Sequence, residues 1–333
     1  EEALRRAGKT VGRRESFNVP STRALDWFPA DGTAPAAGDA AAVTLETAPP
    51  GATAAAVLPY APADLPLGAT DGDRTPSADR IADPIRDPRD DASVPLDSVG
   101  AAEHCEKLIV NGKLPPAASE QYRRVAGLFH QLQRDRGIHV VMVASATPGE
   151  GKTLTSVNLA LTFSESYRRR VLLIDADLRR PMLHNVLGVP NSPAGLSALL
   201  RSPQEYQLKT KHISDRLELA PSGAPDPDPM SSLSSERMRR IIADASTRYD
   251  WVIIDTPPVA LLPDASLLAA MVDVAVLVIA AGRTPLAMVQ KAVETIGRDK
   301  ITGVVLNRVD AENIPGGAYE YGYYYAAAQE ARG

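Results

Sequence analysis

A glycine-rich turn with a lysine and a hydroxyl is the first feature of this chain whose residue types could do chemistry. It reads Ala146-Thr147-Pro148-Gly149-Glu150-Gly151-Lys152-Thr153 and leads into an apolar run. Glycines let backbone N–H groups curl around phosphate oxygens, while the lysine can reach β- and γ-phosphates and the hydroxyl can bind Mg²⁺. The general pattern has glycine where Ala146 stands, and the alternative is a chance glycine turn. The turn therefore predicts ATP and Mg²⁺ as cofactors, bound by Thr147, Pro148, Gly149, Glu150, Gly151, Lys152, Thr153 and Leu154.

Two further segments end in carboxylates. Asp175 and Asp177 follow one short apolar run, and Asp255 follows another. The carboxyl ends of parallel strands meet at the edge where open α/β sheets bind ligands, so we expect these acids close to Lys152. Asp177 and Asp255, together with Thr153, are predicted to hold the magnesium ion. The alternative for Asp175 and Asp177 is that they only cap the next turn.

The elements that must position these groups alternate between strands and helices from residue 119 onward. Continuous apolar runs of strand length imply strands buried on both faces, and such strands form parallel sheets covered by helices on both sides. The predicted helix covers 119–134, and the predicted strands cover 138–144, 171–174, 217–220, 251–254, 274–279 and 301–306. The expected fold class is α/β, with a doubly wound, mostly parallel sheet in a P-loop NTPase domain over residues 101–312.

The first hundred residues differ in composition from the rest. They contain 12 of the 28 prolines and hold 10 Lys and Arg against 16 Asp and Glu, whereas the remainder holds 26 against 25. Frequent proline prevents regular helices and central strands, and scarce large apolar groups cannot offset the entropy cost of ordering. We therefore predict a long disordered linker over 1–100, with a possible short helix at 1–16.

Composition also excludes several classes of function. Balanced charge after residue 100 gives no basic face, which argues against nucleic acid as a partner. Cys105 is the only cysteine and the five histidines are scattered, so neither a disulfide framework nor a zinc cluster is expected. The apolar stretch 274–281 is far shorter than the roughly 20 residues that span a bilayer. No signal peptide is visible, and we expect a cytoplasmic location with any membrane association made through a partner.

A tyrosine-rich tail at 313–333 is the third chemical feature. Tyr319, Tyr321, Tyr323, Tyr324 and Tyr325 follow a flexible Pro-Gly-Gly sequence and make sense as phosphate acceptors. A phenol with a pKa near 10 is a poor nucleophile until a base takes its proton, and Asp175 or Asp177 can supply that base. With Lys152 they are the predicted catalytic residues. The alternative is an aromatic tail that docks on a partner.

Taken together, residues 116–325 resemble the bacterial tyrosine autokinases of capsule and exopolysaccharide systems. The resemblance rests on the glycine turn, on the run from Leu173 to Pro181 that ends in Arg-Arg-Pro, on the run from Ile254 to Pro258, and on the tail. It implies trans phosphorylation of the tail within a ring-like homo-oligomer that controls polysaccharide polymerisation and export. It also implies a transmembrane co-polymerase as activator, a tyrosine phosphatase as partner, and a location at the inner face of the cell membrane.

Two positions depart from the patterns of related proteins. The autokinases carry Glu-x-x-Arg-x-x-Arg at subunit contacts, and here Glu120 and Arg123 match while Ala126 replaces the second arginine. Partitioning and cell-division ATPases carry a signature lysine where this chain has Thr147. The second hypothesis is nevertheless a partitioning-type, MinD-like ATPase switch, and a third is a regulatory nucleotide-binding subunit without turnover. For Asp264, a place near the nucleotide and a helix N-cap are equally open.

Overall fold

The computed structural model describes residues 54–59, 104–202, 208–260 and 264–309. All of these belong to the compact unit Val43–Gly333, which is distinct from the unit Glu1–Ala42. The helix predicted at 1–16 and the tyrosine-rich tail lie outside the described residues.

An eight-stranded sheet with the order β1-β8-β7-β2-β6-β3-β5-β4 forms the centre of the fold. The six inner strands are parallel, and each edge strand pairs antiparallel to its neighbour. The doubly wound, mostly parallel sheet predicted from the sequence is thereby confirmed. The strands are β1 Ala54–Pro59, β2 Val140–Ser145, β3 Val171–Asp175, β4 Lys211–Ser214, β5 Leu217–Ala220, β6 Trp251–Asp255, β7 Val274–Ala280 and β8 Ile301–Val309.

The two edge strands were not predicted from the sequence. β1 falls within the segment 1–100, where proline content argued against helices and central strands, and its backbone pairs with β8 from Ala54 to Pro59 at the edge of the sheet. Proline is tolerated there because an edge strand leaves some N–H groups outside the ladder. The rest of 1–100 lies outside the described residues, so the linker stays a prediction.

Eight helices of the described residues cover the sheet, and their ends follow ordinary capping rules. α1 starts with a proline at its first position and ends at Gly137, whose φ of 67° is left-handed. The side chain of Ser235 accepts a hydrogen bond from the backbone N–H of Met238 at the start of α6. The helices are α1 Pro116–Arg136, α2 Lys152–Leu161, α3 Leu183–Leu187, α4 Leu196–Arg201, α5 Pro229–Leu233, α6 Glu236–Arg248, α7 Asp264–Ala269 and α8 Leu286–Ile296.

Apolar cores lie on both faces of the sheet, as the continuous apolar strands require. Along β2, Val141 and Val143 pack with α1, α2 and α3, whereas Met142 and Ala144 pack with the helices on the opposite face. No helix among the described residues is long and apolar enough to cross a membrane. Packing on both faces holds the sheet in place, and the loops at its carboxyl edge can form a binding site.

Candidate active site

The glycine-rich turn joins β2 to α2 at the carboxyl edge of the sheet. Gly149 and Gly151 have φ angles of 81° and 93°, a left-handed conformation that side chains rarely adopt. A Cβ atom on Gly151 would also lie 1.9 Å from Nδ2 of Asn307. Ala146 has no such positive φ, which explains why alanine is tolerated where the general pattern has glycine.

The side chain of Glu150 points into the protein rather than into solvent. It is 2% exposed, and its carboxylate accepts hydrogen bonds from the Thr147 backbone N–H at 2.7 Å and from the Thr284 hydroxyl. Glu150 therefore shapes the turn from within, and any contact it makes with a nucleotide must come from its backbone.

Two residues near the end of β8 donate hydrogen bonds to backbone carbonyls of the same turn. Nδ2 of Asn307 donates to the carbonyl of Glu150 at 2.7 Å, and the Arg308 guanidinium donates to the carbonyl of Gly149. These bonds tie up carbonyl oxygens that would otherwise repel a phosphate, and leave N–H groups to meet it. Arg308 itself has a φ of 58°, which is unusual for a residue with a side chain.

Lys152, Thr153 and Asp255 meet at the start of α2. Nζ of Lys152 lies 2.8 Å from Oδ1 of Asp255, and the Thr153 hydroxyl donates to Oδ2 at 2.8 Å. The hydroxyl of Ser156 adds a third bond to Asp255 at 2.8 Å. The Asp255 carboxylate, which is 1% exposed, is thus fully partnered by the turn and the first turn of α2.

Asp175 ends β3 beside Asp255, its register partner on β6. It is completely buried, and its Oδ2 accepts the Leu183 backbone N–H at 3.1 Å while its Oδ1 has no hydrogen-bond partner. Burial raises the pKa of Asp175 to about 8, and the charge of Asp255 adds to the effect. Asp175 therefore holds a proton at neutral pH in this form of the protein.

Asp177 occupies a different place from Asp175. It lines an open cleft together with Lys152 and Thr153, whereas Asp175 lies behind the cleft wall. Its Oδ1 accepts the Arg180 backbone N–H at 3.0 Å, and burial raises its pKa. These aspartates therefore lie at the site and also accept backbone N–H groups of the following segment. Of the two, Asp177 is the one that a ligand can reach.

The cleft has a volume of about 650 Å³, within the ordinary range for small-molecule sites. Its walls also include Gly149, Pro257 and Arg308. No group of three or more His, Cys, Asp or Glu side chains within the described ranges is arranged to hold a metal ion. Mg²⁺ keeps several waters and commonly uses phosphate oxygens, so one or two carboxylates and the Thr153 hydroxyl fit a magnesium nucleotide rather than a free ion.

Sequence reasoning missed several residues of this site. Ser156, Thr284 and Asn307 are polar residues whose contacts with Asp255 and with the glycine-rich turn were not predicted; of the three, Asn307 directly follows the predicted strand 301–306. Arg179, of the Arg-Arg-Pro run, forms a two-point ion pair with Asp264, with Nε to Oδ2 at 2.5 Å and NH2 to Oδ1 at 3.1 Å. The role of Asp264 is therefore to bind Arg179, which neither alternative anticipated.

The residues expected at subunit contacts lie on α1. Arg123 NH1 is 3.3 Å from Oε2 of Glu120, so the two side chains pair along one helix. Ala126, which stands in place of the second arginine, is completely buried in the core below the sheet. The structure thus brings Glu120 and Arg123 together, whereas Ala126 faces the core.

Comparison with known proteins gives consistent results. The family model "CobQ/CobB/MinD/ParA nucleotide binding domain" matches residues 141–320. Tyrosine-protein kinase YwqD of Bacillus subtilis (strain 168) is 36% identical over 208 residues, which are 62% of this chain and 86% of that protein. Tyrosine-protein kinase wzc of Salmonella typhimurium is 32% identical over 221 residues, 66% of this chain but 30% of its own length. The kinase domain of the Escherichia coli tyrosine kinase ETK superposes with a TM-score of 0.52 at 30% identity, covering 56% of this chain and 73% of that one.

Proposed function

The chain belongs to the CobQ/CobB/MinD/ParA nucleotide-binding family and, within it, to the bacterial tyrosine-protein kinases, and from that premise we propose that it transfers the γ-phosphate of ATP to tyrosines of its own tail. The observation that carries the proposal is that Lys152 and Thr153 contact the buried Asp255 carboxylate and line the same cleft as Asp177. A phosphate cradle and a carboxylate that can accept a proton are the two parts that transfer to a phenol requires.

Each residue has a distinct part in this proposal. With nucleotide bound, Lys152 would leave Asp255 for the β- and γ-phosphate oxygens, and Thr153 and Asp255 would hold a magnesium ion with Asp177 close by. The magnesium ion would supply positive charge that neutralises the charge developing on the phosphates. Asp177 orients the tyrosine hydroxyl and takes its proton, because it is the raised-pKa carboxyl that lines the cleft. Asp175, buried beside Asp255, accepts the backbone N–H of Leu183 at the start of α3.

The acceptors in this proposal are Tyr319, Tyr321, Tyr323, Tyr324 and Tyr325. Transfer occurs in trans between copies of the chain, and Glu120 and Arg123 contribute to the contact between them. Each phosphate adds a charge of about −1.5 to −2, so several on one tail repel one another and loosen the assembly. We further propose that a transmembrane co-polymerase recruits the kinase to the inner face of the cell membrane, that a phosphatase resets it, and that the cycle regulates exopolysaccharide polymerisation and export.

Incubating the full chain with ATP and Mg²⁺ tests the function. We expect phosphotyrosine confined to the tail on mass spectrometry, and none in Lys152→Met. Trans transfer is tested by mixing Lys152→Met protein, as acceptor, with active protein whose five tail tyrosines are changed to phenylalanine. ATP hydrolysis without phosphotyrosine would favour the partitioning-type switch, and ATP binding without any product would favour a regulatory subunit.

A further inference from the structure

The ion pair between Arg179 and Asp264 has no part in the proposed function so far, although it lies at the cleft. Asp264 is completely buried, while Arg179 is partly exposed and lines the cleft. The two-point geometry, with both oxygens engaged by different nitrogens, is the arrangement that fixes a guanidinium in orientation as well as in position.

The pair joins two segments that carry the reacting groups. Arg179 is two residues beyond Asp177 in the turn after β3, and Asp264 starts α7, which follows β6 and its Asp255. Ala265 and Leu268 of α7 are completely buried, so the helix gives Asp264 a fixed base. The carboxylate thus acts as an anchor in the core for a turn that otherwise runs along the open cleft.

A second anchor lies between Asp177 and Arg179 in the chain. The side chain of Leu178 is completely buried, and its carbonyl accepts the Asp226 backbone N–H at 2.8 Å. The buried Leu178 side chain sets how close the turn lies to the core, and the bonds of Arg179 to Asp264 set the orientation of the turn. The Asp177 carboxylate extends from the same turn, so loss of the two hydrogen bonds between Arg179 and Asp264 would allow that carboxylate to move. Misplacement of a reacting group by about 1 Å can cost on the order of 100-fold in rate.

We propose that Arg179 and Asp264 are positioning residues for phosphoryl transfer, which aim the Asp177 carboxylate at the acceptor phenol. The inference rests on the proposed function, since it gives the pair a task in that reaction. It differs from a purely structural role, which would affect folding and nucleotide binding together. It also differs from direct binding of phosphate by Arg179, which would show as weaker nucleotide binding.

Two variants separate these possibilities. Arg179→Lys keeps the charge but cannot form the two-point ion pair, and Asp264→Asn keeps the shape but removes the charge. For each, the initial rate of tail phosphorylation at saturating Mg-ATP is compared with the affinity for Mg-ADP. We expect the rate to fall at least tenfold and the ADP affinity to change less than twofold. The double variant should be no slower than about the slower single one, because both changes remove the same contact.

Arg239→Lys is the matched control. Arg239 lies 3.9 Å from the Glu236 carboxylate on α6 and does not line the cleft. It should keep both rate and affinity within twofold of wild type. Urea unfolding and Mg-ADP binding report whether each variant is folded, so Arg179→Lys remains decisive if Asp264→Asn is unstable.

The outcomes distinguish failure of the inference from failure of the function. If wild-type protein forms phosphotyrosine and both variants do so at its rate, the positioning role is wrong and the kinase proposal stands. Parallel loss of rate and ADP affinity in Arg179→Lys would overturn it in favour of phosphate binding or a general structural role. If wild-type protein forms no phosphotyrosine, both proposals fall.

Discussion

Replacing Asp175 by asparagine should stabilise the nucleotide-free protein, and more strongly at neutral than at acidic pH. The side chain is completely buried, one of its oxygens has no hydrogen-bond partner, and its pKa is raised to about 8 by burial and by Asp255. Asparagine resembles the protonated acid, keeps an oxygen for the Leu183 N–H, and carries no proton to lose.

The magnitude follows from the two pKa values. In the unfolded chain the carboxyl titrates near 3.8, and in the folded protein near 8. Between these values the folded state keeps a proton that the unfolded state releases, so the stability contributed by Asp175 is complete below pH 3.8 and is lost as the pH rises through 8. Each pH unit within the window is worth up to about 1.4 kcal/mol, so the advantage of Asp175→Asn should grow by about 2–3 kcal/mol from pH 5 to pH 7.

The assay is urea unfolding of wild type and variant at pH 5, 6, 7 and 8, in EDTA and without nucleotide. The quantity of interest is the difference in the free energy of unfolding between the two proteins at each pH, since other titrating groups cancel in it. Asp135→Asn, at an exposed position on α1, is the control and should differ from wild type by less than about 0.5 kcal/mol throughout. A difference for Asp175→Asn that stays constant from pH 5 to pH 8 would refute the assignment of a proton to this carboxyl.

Further predictions concern the turn, the metal and the core. Gly151→Ala should weaken Mg-ADP binding at least tenfold by calorimetry, because its Cβ would lie 1.9 Å from Nδ2 of Asn307; unchanged affinity would show that the turn relaxes freely. Chelation of magnesium should abolish phosphotyrosine formation and leave the circular dichroism spectrum unchanged, with recovery on readdition; activity in excess EDTA would contradict the metal assignment. Phe163→Ala should lower the free energy of unfolding by about 3–5 kcal/mol, since the ring is completely buried and stacks on Trp251 at 4.6 Å; a loss under about 1 kcal/mol would contradict this packing.

Local patterns in the sequence predict the inner part of this fold well. Most inner strands have largely apolar runs because helices cover both faces, and the predicted range 217–220 coincides with β5 although it includes Glu218. The glycine turn is similarly recognisable from local sequence, since its glycines, lysine and threonine are neighbours in the chain, although distant residues also hold it. The edge strand β4 has three polar residues among its four and so lacks such a run, while β1 is apolar but lies in a proline-rich segment whose composition indicated a linker.

The unpredicted parts of the site depend on contacts between distant residues. Asn307 and Glu150 are 157 positions apart, and Arg179 and Asp264 are 85 apart. Nothing in the residue types alone indicates which arginine faces which aspartate. The local pattern indicated the roles of Lys152 and the tail, and the resemblance to a kinase family added the trans mode and the partners, while the separate environments of Asp175 and Asp177 became visible only through burial.

The contact between Arg308 and the glycine turn also fixes the point from which the chain leads to the proposed acceptor tyrosines. Arg308 lines the cleft and β8 ends one residue later at Val309, so that point lies at the rim of the cleft. Tyr319 is ten residues beyond Val309 and Tyr325 is sixteen beyond it. Even fully extended, those lengths span roughly 33–36 Å and roughly 53–58 Å. If one copy phosphorylates the tail of another, the cleft of the first copy must lie within that distance of Val309 of the second. A low-resolution envelope of the oligomer can test this limit.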